Sequence, residues 1–126
     1  MKIRIETIPH HAQRYDTPGD WVFTPSGDLV VWISELADQR MEFLLSIHET
    51  IEAILCRQSG ISPEMVDDWD RKWTPHGSYL EPGADPMAPY HIQHFATETL
   101  ERQLAAYMQV DWEEYGRKIA ALSPDK

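Results

Sequence analysis

A chain of 126 residues is long enough for one domain with one core, and too short for two that would each bury enough apolar surface to fold alone. Its composition, 42% hydrophobic with five Trp and five Tyr, is that of a globular protein, and no apolar run approaches the roughly 20 residues of a membrane span. A formal charge of −10, with eleven Lys and Arg scattered among 21 acids, repels phosphate backbones and argues against a basic nucleic-acid interface.

The opening residues, Met1 to Glu6, lack the apolar stretch of a signal peptide, and Cys56 is the only cysteine. Both features predict a reducing cytoplasm. Residues 2–8 alternate polar and apolar side chains, the period-two signature of a half-buried strand. After a polar loop, Trp21 to Thr24 and Leu29 to Ile33 flank Pro25-Ser26-Gly27-Asp28, which predicts a hairpin with β-branched and aromatic arms. From about Asp38 to Gln58 the apolar period turns helical, with Asp38 as N-cap and Gly60 as the stop. Residues 60–87 are rich in Pro, Gly, Asp and Trp. Within them Ser62-Pro63-Glu64 starts a short helical turn to about Trp69, and the rest reads as a loop of the length found in lids and binding loops. A second long helix covers about Pro89 to Gln109 and a shorter third about Asp111 to Leu122. Strands followed by helices predict one α+β domain over 1–126, two long helices and one short helix packing on a small antiparallel sheet of about three strands.

The chemistry concentrates in His48-Glu49-Thr50-Ile51-Glu52. On a helical wheel, Met41, Leu44, Ile51 and Leu55 fall within about 60° of His48, which puts His48 mid-face, Glu52 one turn on and Glu49 at the border. A carboxylate on an apolar face must be paired, protonated or coordinated. A buried His48–Glu52 hydrogen bond would meet that need without a metal. The second helix offers matching ligands: Leu100, Leu104 and Tyr107 mark its apolar side, with His94 and Glu101 together along the edge. Glu98 is spaced for a surface ion pair with Arg102, and His91 projects outward. Imidazole plus carboxylate suits zinc first, with manganese or iron behind it. The expected metal ligands are His48, Glu52, His94 and Glu101, with Glu49 as general base. Cys56 reads as a buried, inert thiol. His10, His11 and His76 read as loop residues, with His76 within reach of the site.

A strand ending in Trp32-Ile33-Ser34-Glu35-Leu36, followed by a helix carrying His48-Glu49-x-x-Glu52, resembles the active-site helix of zincin metalloproteases, whose pattern is His-Glu-x-x-His with a third ligand further on. The likeness covers about twenty residues and implies a minimal zincin-like fold and a peptidase-like hydrolase. Glu52 departs from it by standing where the second histidine belongs, and a carboxylate there weakens the metal as a Lewis acid. Over its full length the chain also resembles a group of short proteins encoded by phages and prophages. The likeness rests on Ile5-Glu6-Thr7-Ile8-Pro9-His10, Gly19-Asp20-Trp21, His48-Glu49-x-x-Glu52-Ala53, Pro89-Tyr90 with His94 and Ala96, and Val110-Asp111-Trp112. That resemblance implies a phage context and a host cytoplasm.

Two functions follow as expectations. One is a metal-dependent hydrolase whose substrate is selected by the Trp-rich segment 67–87. The other is a non-enzymatic phage accessory protein that binds a host protein through its acidic surface and Trp69, Trp73 and Tyr79, with the His/Glu cluster in a structural role. Neither involves nucleic acid or a membrane.

Overall fold

The alternating segment at the start of the chain forms strand β1, Ile3–Ile8, and the two arms of the expected hairpin form β2, Gly19–Phe23, and β3, Leu29–Ser34, in a computed structural model that describes residues 1–124. The hairpin turn is closed by Gly27 at φ 87°, a left-handed conformation that glycine adopts without a Cβ clash. The chain is α+β, but the sheet is mixed, not antiparallel. β3 lies in the middle in the order β1-β3-β2, antiparallel to β2 and parallel to β1. The reason is positional. Residues 9–18 carry the chain past the place where a neighbouring strand would pair, and β3 fills the gap running in the same direction as β1.

Helix α1, Gln39–Gln58, starts where Asp38 accepts hydrogen bonds from the backbone of Arg40 and Met41. It crosses β2 and β3 and buries Met41, Leu44, Leu45, Ala53 and Cys56 against Trp21, Leu29, Val31 and Ile33. Its buried stripe centres on Glu52, about 40° around the wheel from His48, so that Glu49 is inside the core and His48 at its margin. Ile51 and Leu55, which drew the expected centre toward His48, are only partly buried.

The long segment contains more helix than its composition suggested. Helix α2 runs Pro63–Lys72, capped by Ser62, and packs beside β2. A single 3-10 turn at Pro82–Ala84 then leads into α3, His91–Tyr107. Helix α3 lies along α1 with its buried face turned about 90° from the side marked by Leu100, Leu104 and Tyr107, toward the edge that carries His94 and Glu101. Tyr107 is 88% exposed, Phe95 68% and Leu100 49%, while His94, Thr97, Glu101 and Ala105 are buried. Helix α4, Trp112–Ala120, is capped by Asp111 and turns Tyr115 inward toward α3. Among the described residues no helix is long and apolar enough to cross a membrane.

Candidate metal centre

Two helices far apart in sequence bring His48, Glu52 and His94 together. Nε2 of His48 donates to Oε2 of Glu52 at 3.2 Å, and Nδ1 of His94 donates to the same oxygen at 3.1 Å. The two imidazole rings meet edge-on with centroids 5.0 Å apart. Two donor atoms each about 2.0–2.1 Å from a shared tetrahedral zinc stand about 3.3–3.4 Å apart. The two nitrogen–oxygen separations are close to that spacing, and the three ligand atoms all lie within 4.8 Å of one another, a group that could hold one divalent cation in place of two protons. The other Glu52 oxygen faces the indole N–H of Trp21 at 3.5 Å.

Each histidine gives its remaining nitrogen to further carboxylates. Nδ1 of His48 donates to Oε1 of Glu101 at 2.7 Å, and Oε2 of Glu101 accepts from the Tyr115 hydroxyl at 2.6 Å. Glu101 therefore sits outside the trio and orients His48, with Tyr115 on α4 holding it in turn. Nε2 of His94 points to Glu81 at 3.1 Å and Glu98 at 3.4 Å. A carboxylate behind a histidine fixes its tautomer and raises its basicity, the usual outer arrangement of metal-ligating imidazoles.

The electrostatics are those of a buried acid-rich cluster. Burial opposes charge on His48, but Glu101 and Glu52 outweigh it and hold the imidazole well above its ordinary value. For His94 burial is likewise overcome, by Glu52, Glu81 and Glu98, and the pKa rises to about 11. Glu52 goes the other way: despite burial, its bonds to both histidines lower it to about 2. Glu49 is raised well above the usual carboxylate range, first by burial and then by the charge of Glu52. Burial also lifts Asp70 on α2 to about 7, against its hydrogen bonds from Tyr90 and Tyr15, with the charge of Glu52 adding to the rise.

Two glycines make the room. A Cβ on Gly19 would stand 2.1 Å from Oε1 of Glu49, and one on Gly83 would stand 2.5 Å from Cγ and Nδ1 of His94. Neither glycine was legible as a site residue, because the need for a missing side chain arises only from tertiary contact. Tyr115, Glu81 and Asp70 were also missed. Each comes from an element that approaches the two helices only in the folded chain. Their only sequence signal was membership of polar segments next to Trp or Tyr. Of the remaining candidates, Glu98 bonds His94 as well as facing Arg102 at 4.0 Å, and His91 bonds the carbonyl of Gly83. His76 pairs with Asp85, and His10 bridges Ser34 and Asp16. Cys56 is fully buried, and burial pushes its thiol up to about 12. The chain matches no protein-family model, no curated protein and no solved structure.

Proposed function

We propose that the chain is a hydrolase dependent on one divalent metal, zinc before manganese or iron, acting on peptide-like amide or ester bonds. His48, Glu52 and His94 hold the metal, and Glu49 is the general base. The observation that carries this reading is the convergence of two imidazoles on one oxygen of Glu52 while both outer nitrogens are held by carboxylates. A polar pair that merely satisfied the core would need neither the second imidazole nor the outer carboxylates. When bound, the metal supplies Lewis acidity and acidifies water at neutral pH. The chain's own residues do the rest. Glu49, with its proton affinity raised by burial, is suited to take a proton from attacking water and return it to a leaving amine. Glu101 and Tyr115 keep His48 in the tautomer that presents Nε2. The segment carrying Glu81 and Gly83 lies over His94 and keeps bulk water from it.

The test joins elemental analysis with turnover. The purified chain takes up one equivalent of zinc, the His48→Ala, Glu52→Ala double variant takes up none, and Glu49→Gln keeps the metal but loses about a hundredfold or more of turnover on peptide and ester substrates. Absence of uptake from metal titration overturns the metal reading. Unchanged turnover in Glu49→Gln overturns the base assignment.

The enclosure of the cluster favours a second reading. The side chains of His48, Glu52 and His94 are only 12%, 6% and 8% exposed, so the ion would clasp α1 to α3 in a non-catalytic interaction protein of the kind phages use as accessory factors. In that case chelation lowers the melting temperature and no hydrolysis accompanies the bound metal.

A further inference from the structure

Strand β1 is the outer strand of the sheet, and little covers it: Ile3 is 48% and Ile5 44% exposed. The carbonyls of Lys2 and Ile8 accept from Leu29 and Glu35, so the even-numbered residues turn their backbone groups toward β3. By the two-residue repeat, the N–H and C=O groups of Ile3, Ile5 and Thr7 point outward, away from the sheet. A free edge of this kind is a template for another strand, and charged side chains are the usual guard against it. Here the guards are Arg4 and Glu6, which share one face and pair with each other at 2.9 Å.

We infer that two copies of this chain join antiparallel through β1, Ile5 facing Ile5 across a two-fold axis, into one continuous six-stranded sheet. The choice of register follows from the strand itself. A two-fold axis perpendicular to a sheet lets only three central residues face their own copies with this overlap: Arg4, Ile5 or Glu6. Centring on Arg4 or on Glu6 sets like charges opposite each other, which destabilises a pair. Centring on Ile5 sets Arg4 against Glu6 of the second copy and Glu6 against its Arg4. In the same register Ile5 meets Ile5, Ile3 meets Thr7 and Thr7 meets Ile3, and these three pairs are of the hydrogen-bonded type because their backbone groups already face out, while the Arg4–Glu6 pairs are of the non-hydrogen-bonded type. Ile3, Ile5 and Thr7 stand beside Leu29, Val31 and Ile33 on the α1 side, so the joined edge extends the apolar face of the sheet. Local charge also fits. Lys2, Arg4 and Glu6 carry a net charge of about +1 on a chain whose formal charge is −10, so the edge does not add the acid-against-acid repulsion expected between two such chains.

Sedimentation equilibrium of the full chain tests the pairing, with circular dichroism to confirm the fold. The wild type shows a mass of twice 14.6 kDa at micromolar concentration. Arg4→Glu and Glu6→Arg each weaken self-association by about tenfold or more, because each puts two like-charged pairs in place of two opposite ones. The double exchange Arg4→Glu, Glu6→Arg restores the dimer, and an equimolar mixture of the two single variants forms a heterodimer. Both side chains are exposed, so the exchanges leave the core untouched. A wild type that stays monomeric at hundreds of micromolar overturns the proposal. So does a dimer that neither single variant weakens, since that dimer uses another surface. Metal uptake and turnover read a different part of the molecule, so failure here is distinguishable from failure of the hydrolase reading.

Discussion

Gly83 and Glu101 show how single residues tune the cluster without touching the place where a metal would sit. Gly83 lies against the His94 ring with no room for a methyl group, and Glu101 fixes the far nitrogen of His48. Gly83→Ala must push either the ring or the turn that carries it, and Glu101→Ala leaves the buried N–H of His48 without its acceptor. Each is expected to lower zinc affinity about 10- to 100-fold although neither substitution removes His48, Glu52 or His94. Competition against a chromogenic chelator measures this, and an affinity unchanged in both variants would contradict the outer role given to them. Tyr115→Phe removes only the hydroxyl that steadies Glu101, and the same titration should show a smaller loss.

Helix α3 is the element where sequence pattern and fold part company. Ile92, Phe95, Leu100 and Tyr107 face solvent, Leu104 alone of its large apolar residues packs against the core, and the fully buried stripe is Thr97, Ala105 and the polar residues of the cluster. Phe95→Gln is therefore expected to change unfolding free energy by no more than about 0.5 kcal/mol. Ala105→Leu, which adds bulk where two helices meet, is expected to destabilise by about 1–3 kcal/mol. Urea denaturation of the two variants decides it, and the reverse order would mean that α3 packs through its apolar side. The same helix shows where the sequence could be read and where it could not. Element types along the chain were legible because caps and periods are local: Asp38 and Ser62 cap helices as their side chains suggested, although the helix headed by Ser62 reaches Lys72, past Trp69, and Asp111, expected inside the last helix, turns out to cap it. His48, Glu52 and His94 were legible because a charged side chain on a core-facing helix demands a partner. The parallel pairing of β1, the turned face of α3 and the outer carboxylate Glu81 were not, because each depends on which distant element arrives alongside. The wheel for α3 counted Leu100 and Tyr107 as core when the protein spends its buried face on polar groups, a conflict that proteins tolerate mainly at functional sites.

Taken as a whole, the metal-free molecule carries an unusual pH dependence. Glu52, lowered to about 2, is ionised when folded and protonated when unfolded up to its ordinary 4.5, so stability rises with pH over that interval. Asp70, raised from 3.8 to about 7, acts in the opposite sense across its own interval. His94 is held protonated from 6.5 up to about 11, so its contribution is fully present below 6.5 and is lost as pH rises toward 11. Stability of the chelator-treated chain should therefore peak around the ordinary carboxylate value and decline through neutrality. Thermal melts between about pH 4 and 9 test this, and a melting temperature that climbs from about pH 5 to 8 would contradict it. Saturating zinc should offset the alkaline decline, because ligation takes neutral imidazoles and releases their protons. Cys56 adds a means of watching the centre from within. It is the chain's single thiol, lies fully buried on α1 one turn beyond Glu52, and holds its proton up to about 12. A water-soluble disulfide reagent can reach it only during excursions in which α1 lifts from the sheet, so its rate of labelling is a clock for those openings. Any occupant that ties α1 to α3 slows that clock, and its presence can be timed without a dye, a chelator or a substrate.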